Sequence, residues 1–159
     1  LDLTIDEGIA FFEQLPKDQG KKIAEKLSPL QEVGLGYVHL GQSSNTLSGG
    51  EAQRVKLAGF LSKKNSKEKL LFIFDEPTTG LHFHDINKLV KSFNGLIAQG
   101  HTIIVIEHNL DVVKCADWVI DLGPGGGEHG GQLVFEGTPE DMIKAKTSVT
   151  GKYLKEKLN

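Results

Sequence analysis

The stretch Leu70-Leu71-Phe72-Ile73-Phe74-Asp75-Glu76 is apolar at its first five positions and then ends in two acids. A strand that is apolar at every position is typical of a parallel sheet with both faces covered. A second apolar run, Thr102–Ile106, ends in Glu107-His108, and residues 83–99 between the runs carry apolar side chains at helical spacing. Gly100 is placed to terminate that helix. The order strand, long helix, strand predicts a right-handed βαβ unit and an α/β fold.

Weaker signals follow on the carboxyl side. Residues 118–120 and 132–135 are predicted to be two further strands. The glycine-rich residues 123–131 between them predict a hairpin connection, because a phosphate-binding P-loop joins a strand to a helix instead. Thr138 followed by Pro139 predicts another helix start, since proline suits the first helical position.

The amino-terminal part is predicted to be mainly helical. Thr4 and Glu7 have the spacing of a capping box, in which each satisfies a free N–H group at a helix start. A second helix is expected at about residues 18–27, and residues 34–46, rich in Gly, Ser and Asn, predict a looser segment. The expected buried stripe of the second helix is Ile23, Ala24 and Leu27.

Composition excludes several classes of protein. The apolar runs of this 159-residue chain are too short to span a bilayer, and acids near Leu1 replace the basic start of a signal peptide. The single cysteine, Cys115, excludes an internal disulfide and a thiolate-cage metal site, and we expect it to be inert packing on a helix in a reducing cytoplasm. The net charge of −3 and the single arginine, Arg54, do not favour base readout by several arginines.

Chemistry is predicted at the carboxyl ends of the two strong strands, where open α/β sheets bind their ligands. The first strand runs into Asp75-Glu76 and the second into Glu107-His108. Adjacent carboxylates at a strand end suit nucleotide hydrolysis, because one can hold Mg²⁺ and the other can polarise an attacking water. A solvated strand end is the alternative interpretation of such a short motif.

The octet Leu47-Ser48-Gly49-Gly50-Glu51-Ala52-Gln53-Arg54 strengthens the hydrolytic interpretation. Ser48 and Glu51 have capping-box spacing, so Ser48 is predicted to start a helix. Gly49 and Gly50 in the first turn cost about 1 kcal/mol each relative to alanine. They leave bare N–H groups that a phosphate can approach closely. A capped helix with a flexible start is the structural alternative.

This octet, the strand that ends at Asp75-Glu76, and His108 resemble the signature, Walker B and switch-histidine motifs of the ABC ATPases. The likeness extends beyond these motifs. Residues 41–58, 75–85 and 106–124 are similar to the UvrA family, the damage-recognition ATPases of the excinuclease system in bacterial nucleotide excision repair. The run from Thr78 to His84 resembles the second, C-terminal ATPase half of that family.

The resemblance implies roles for the strand-end residues. Asp75 corresponds to the Walker B carboxylate that holds Mg²⁺, Glu76 to the general base for water, and His108 to the switch histidine at the γ-phosphate of ATP. His82 stands where many ABC proteins have an aspartate, so the contacts of that aspartate are not carried over. With His84, His82 also invites a metal interpretation, which we do not expect because no third ligand is near in sequence.

The resemblance also implies that the signature residues serve a composite site. Ser48, Gly49, Gly50 and Glu51 would reach the ATP held by the opposite ATPase half, and Glu51 replaces the glutamine of transporter signatures, as is usual in this family. Residues 1–68 then form a helical signature subdomain. Residues 69–159 form the α/β ATPase core segment, with Walker B, D-loop and switch histidine.

The motif Gly-x-x-x-x-Gly-Lys-Ser/Thr, the Walker A P-loop, does not occur in the sequence. We therefore expect a C-terminal piece of a longer protein, inactive alone, with the zinc-binding cysteines of the family upstream of Leu1. The resemblance implies ATP and Mg²⁺ as ligands and a cytoplasmic homodimer that acts on damaged duplex DNA and loads UvrB, without a membrane.

Two alternatives from other classes stay open. A nucleotide-binding subunit of an ABC transporter shares the same motifs, and zinc-spaced cysteines upstream would argue against it. A non-catalytic interaction module is the second alternative, because the sequence lacks the P-loop. The basic cluster of Lys63, Lys64, Lys67 and Lys69 favours a solvated loop over a DNA contact, since lysine runs are usually exposed surface.

Overall fold

The computed structural model describes residues 1–16, 18–62, 68–127 and 130–158. The chain forms two compact units, Leu1–Ile106 and Glu107–Asn159. The predicted boundary between the signature subdomain and the ATPase core, after residue 68, separates motifs by role and not by compactness. That boundary stays a prediction. Lys63, Lys64 and Lys67 of the predicted basic cluster lie outside the described residues.

The first unit contains four helices and two strands in its described part. They are α1 (Ile5–Glu13), α2 (Asp18–Glu32), α3 (Gly49–Leu61), β1 (Leu71–Asp75), α4 (Phe83–Ala98) and β2 (Thr102–Ile106), with a short 3₁₀ turn at Ser44–Thr46. The second unit contains α5 (Leu110–Val113), β3 (Val119–Gly123), β4 (Gln132–Gly137), α6 (Pro139–Met142) and α7 (Val149–Leu158). The mixture of helices and a parallel strand pair confirms the α/β fold class.

Helix α1 begins as the sequence predicts. The hydroxyl of Thr4 accepts from the Glu7 N–H at 3.2 Å, and the Glu7 carboxylate accepts from the Thr4 N–H at 2.9 Å. Helix α2 differs from its prediction, because it continues to Glu32 and passes through Pro29. Ala24 is buried as expected, but the prediction for Ile23 is wrong, since its side chain is 39% exposed.

The segment after α2 is irregular but well packed. Leu35 is fully buried and Val38 nearly so, and both belong to the core of the first unit. The backbone N–H groups of Ile5 and Asp6 donate to the carbonyls of Val38 and Gly36 at 2.9 Å. These bonds fasten the segment to the start of α1, so the loose composition does not produce a loose structure.

The strands β1 and β2 pair in parallel, from Leu71 opposite Thr102 to Asp75 opposite Ile106, with α4 between them in sequence. This confirms the predicted strand–helix–strand order. Helices α3 and α4 cover one face of the pair: Phe60 packs on Phe72 and Phe93 on Phe74, each with ring centroids 4.9 Å apart.

The opposite face of this strand pair is open in the described chain, so the expectation of two covered faces is not met within these residues. Its side chains are between 48% and 62% exposed: Leu71, Ile73, Ile104 and Ile106. The physical reason is that α3 and α4 lie against the same face of the sheet, the face that carries Phe72 and Phe74.

The second unit is built on a β-hairpin. Strands β3 and β4 pair antiparallel, with an irregularity between Asp121 and Leu122, and Thr138 caps α6 as predicted. The predicted glycine-rich connection joins these strands, and its residues 128 and 129 lie outside the described part. The expectation for Cys115 is wrong: it lies just beyond α5 and is exposed.

Candidate functional site

The N-terminus of α3 is held by reciprocal hydrogen bonds. Ser48 is extended, with φ −63° and ψ 162°, and its hydroxyl accepts from the Glu51 N–H at 3.3 Å. The Glu51 carboxylate accepts in turn from the Ser48 N–H at 2.7 Å. The capping-box prediction is therefore confirmed, and the helix start has one defined geometry.

The two glycines of the first turn have different surroundings. Gly49 is exposed, and a Cβ added there would meet nothing within 4 Å. Gly50 is buried, and a Cβ there would lie 3.4 Å from the Thr79 carbonyl oxygen and 3.6 Å from that of Glu76. Gly49 therefore keeps the helix start accessible, whereas Gly50 lets the helix approach the loop that follows β1.

That loop begins with the carboxylate pair. Asp75 is the last residue of β1, and Glu76 has φ 46°, a left-handed conformation that costs a non-glycine residue about 1–3 kcal/mol. The Glu76 N–H donates to the Ile106 carbonyl at 2.9 Å, and the Glu76 carbonyl accepts from the Thr79 N–H at 3.1 Å. The strand pair and the turn thus hold both exposed carboxylates at the edge of the sheet.

Arg54 joins the helix to this loop, a role that sequence reasoning missed. Its side chain is fully buried, and its Nη1 donates to the carbonyls of Pro77 at 2.6 Å and Thr79 at 3.3 Å. Burial lowers the pKa of the guanidinium from its ordinary value. The available signal was that the only arginine of the chain lies inside the octet.

Tyr37 extends the link back to the helix start. Its hydroxyl donates to Glu51 Oε1 at 2.5 Å and accepts from Arg54 Nη2 at 3.4 Å. The hydrogen bond from Tyr37 is the main reason that the pKa of Glu51 lies below its ordinary value, with the bond from the Ser48 N–H next. Desolvation, followed by the bond to Glu51, raises the pKa of Tyr37. No motif in the sequence marks Tyr37.

His108 belongs to the second unit and is exposed. The N–H groups of His108 and Asn109 both donate to the Glu107 carboxylate, at 3.0 and 3.1 Å. Asn109 caps α5 by accepting from the Asp111 N–H at 2.9 Å. The structure therefore brings the signature residues and the loop after Glu76 together in the first unit, while the role of His108 stays a prediction.

The donor chemistry at Asp75-Glu76 fits a magnesium ion, which proteins hold with one or two carboxylates while water and substrate phosphates fill the other positions. Among the described residues, no group of three His, Cys, Asp or Glu side chains could hold a metal ion by itself. In the same part of the chain, every helix is too short or too polar to cross a membrane.

Comparisons with known proteins give the chain its family. No family model matches it. UvrABC system protein A of Agrobacterium fabrum is 55% identical over 159 residues, which is the whole of this chain, and that of Clostridium perfringens is 56% identical over 158 residues. The chain belongs to the UvrA family. It spans 16% of the length of these curated relatives, so it corresponds to one segment of a UvrA protein.

Solved structures agree with the UvrA assignment. The crystal structure of UvrA2 from Deinococcus radiodurans matches the whole chain with a TM-score of 0.81 and 46% identity, over 19% of its own length. An ATP-bound Atm1-family ABC exporter from a bacterium matches with a TM-score of 0.53 and 21% identity, over 27% of its length. The exporter shows the shared ABC ATPase fold alone, so the transporter alternative is the weaker one.

Proposed function

We propose that this chain is the C-terminal ATPase segment of a UvrA protein, and that its motifs bind and hydrolyse ATP in the full-length dimer. The observation that carries the proposal is the direct packing of the capped signature helix on the loop after Asp75-Glu76. The 55% identity to UvrABC system protein A over the whole chain supports the same assignment.

In the proposed reaction, Glu76 accepts a proton from the water that attacks the γ-phosphate. The left-handed backbone of Glu76 is held by its backbone hydrogen bonds to Ile106 and Thr79, and it fixes the direction of the Cα–Cβ bond. Asp75 would hold Mg²⁺, and the ion when bound supplies positive charge that offsets the charge of the phosphates. The proposal also gives His108 the role of the switch histidine, which contacts the γ-phosphate in ABC ATPases.

The signature residues serve the opposite nucleotide in this proposal. Ser48 and the accessible Gly49 offer a helix N-terminus to an anion, and such ends attract phosphate through their free N–H groups and the helix dipole. Gly50 and Glu51 keep that end close to the loop after β1 and correctly capped. The P-loop that holds each ATP comes from parts of the protein outside these 159 residues.

The proposed cellular role follows from the UvrA family. The full-length homodimer uses ATP in the cytoplasm to find lesions in duplex DNA and to load UvrB for excision, and its zinc ligands lie upstream of this segment. The net charge of −3 and the single arginine are the reason to place most DNA contacts in the remainder of the protein.

The proposal is tested by Glu76→Gln in the full-length protein with the N-terminal ATPase site disabled. We expect ATP binding to persist while turnover falls on the order of 10²-fold or more, the scale for loss of a positioned acid–base group. Glu25→Gln, at an exposed position of α2, is the matched control. Unchanged hydrolysis by the Glu76 variant would remove Glu76 from this role.

A further inference from the structure

A continuous chain of hydrogen bonds runs from the start of α3 to the loop after Glu76. The Ser48 N–H donates to Glu51, which accepts from the Tyr37 hydroxyl, which accepts from Arg54. Arg54 then donates to the carbonyl of Pro77, the residue next to Glu76. Every link lies within the first unit, so the two motifs are physically connected inside a single chain.

We infer that Arg54 and Tyr37 are positioning residues that transmit the state of the signature helix to Glu76. The inference rests on the proposed function. When Ser48 engages the nucleotide of the opposite half, α3 and the loop at residues 76–79 move as one body. The catalytic base of one site is then set in place by the contact made at the other.

The chemistry of Arg54 supports this role over simple packing. Among the described residues it has no carboxylate within ion-pair distance, and its Nε lacks a hydrogen-bond partner. A buried cation with incomplete pairing is poor at stabilising a core, where apolar side chains of similar volume often do better. A guanidinium does offer several donors in one plane, which bond two carbonyls and a hydroxyl simultaneously.

The hydrogen bonds of Arg54 lie where a movement of α3 would change the backbone at Glu76. Both carbonyls that Arg54 holds belong to the turn closed by the Thr79 N–H and the Glu76 carbonyl. The Glu76 backbone is already in an unfavourable region, so it persists only while its surroundings hold it. Misplacement of a catalytic group by about 1 Å can cost roughly 10²-fold in rate, so a small loosening of this turn is enough.

The test uses Tyr37→Phe in the full-length protein with the N-terminal site disabled. Tyr37 is 47% exposed and loses only a hydroxyl, so the fold is expected to survive. Phenylalanine cannot make either bond of the hydroxyl, to Glu51 or from Arg54. We expect kcat to fall roughly threefold to tenfold, the scale of one ordinary hydrogen bond, with KM for ATP and the melting temperature unchanged. Tyr153→Phe, at the other tyrosine of these 159 residues, is the matched control.

Arg54→Lys is the second variant. Lysine keeps the charge but cannot bond all three acceptors, so we expect a fall in kcat of roughly 10-fold to 100-fold. Because both residues belong to one network, the double variant should match Arg54→Lys alone rather than show the product of the two effects.

The outcomes separate this inference from the proposed function. If Glu76→Gln stops hydrolysis while Tyr37→Phe behaves like Tyr153→Phe, the link through Tyr37 is wrong and the ATPase assignment stands. A fall in kcat of Tyr37→Phe that comes with a matching fall in its melting temperature would also overturn the inference, because it would show a structural role for Tyr37. If Glu76→Gln leaves hydrolysis intact, the role proposed for Glu76 fails, and with it the premise of this inference.

Discussion

At the scale of single residues, the functional candidates are held by backbone rather than by side-chain ion pairs. Glu76 owes its left-handed conformation to bonds with Ile106 and Thr79, and Ser48 owes its extended conformation to the cap with Glu51. Arg54 uses its buried guanidinium to hold two carbonyls. Each of these contacts therefore involves a backbone N–H or carbonyl group.

A substitution at Ser48 tests whether the signature acts in trans. Ser48→Arg places a long side chain at the accessible helix start and removes the cap. We expect hydrolysis at the opposite site of the full-length protein to fall, while nucleotide affinity at its own site stays nearly constant, because the P-loop supplies that affinity. Single-turnover hydrolysis and nucleotide titration, each with one site disabled, measure the two quantities.

The control for Ser48→Arg is Ser43→Arg, which introduces the same side chain at an exposed serine that makes no capping bond. A loss of affinity confined to the variant's own site would contradict the composite arrangement.

At the scale of elements, α5 and α7 of the second unit are joined through one carboxylate. Asp111 accepts from Lys114 Nζ at 2.7 Å and from Lys157 Nζ at 3.1 Å. The hydrogen bond from Lys114 is the largest cause of the lowered pKa of Asp111, and the bond from Lys157 acts in the same direction. The carboxylate therefore holds α7, whose sequence is rich in lysine, against the short helix that follows His108.

Asp111→Asn tests this connection through its pH dependence. Because the pKa in the folded chain lies below the ordinary 3.8, the stabilisation is present above pH 3.8 and is lost as the pH falls through the folded value. We expect a loss of less than about 1 kcal/mol in the free energy of unfolding at pH 7, since both lysines are partly exposed.

Urea unfolding of the 159-residue chain measures the difference in unfolding free energy at pH 7, 5 and 3. It is followed by the fluorescence of Trp118, the only tryptophan of these 159 residues. The difference from the unsubstituted chain should be constant between pH 7 and 5 and should shrink toward pH 3. Asp117→Asn, at an exposed aspartate nearby, is the control. An equal loss of unfolding free energy at pH 3 and pH 7 would show that the charge of the Asp111 carboxylate is not the source of the stabilisation.

At the scale of the whole molecule, the described chain leaves apolar surface on the strand pair of the first unit. Ile73 and Ile106 are more than half exposed on the face that α3 and α4 do not cover. Exposed apolar surface on a sheet with free edges favours association. We expect this face to make the isolated 159 residues prone to self-association.

Nucleotide affinity is the second whole-molecule prediction. A P-loop supplies backbone N–H groups and a lysine to the phosphates, and the 159 residues contain no such motif. We expect the isolated chain to show no saturable Mg-ATP binding tighter than about 1 mM, or about −4 kcal/mol. Calorimetric titration, with the full-length protein as the positive control, measures it, and a micromolar affinity of the isolated chain would contradict the prediction.

The sequence by itself determined the features that depend on neighbours within four positions. The capping boxes at Thr4 and Ser48, the cap at Thr138 and the helix stop at Gly100 all appear as predicted, because each is a local bond or a local backbone preference. The order strand, helix, strand also follows from local periodicity. The motifs within residues 41–58, 75–85 and 106–124 are long enough to indicate the family by themselves.

Only the tertiary structure decided the features that depend on distant partners. Arg54 meets the Pro77 carbonyl 23 positions away, and Tyr37 meets Glu51 14 positions away, so no periodicity encodes either contact. The open face of β1 is a further example. Because this strand is apolar on both faces, its sequence does not indicate which face the helices α3 and α4 will cover. Local spacing specifies how an element starts and ends, but burial and long-range hydrogen bonds are properties of the packed chain.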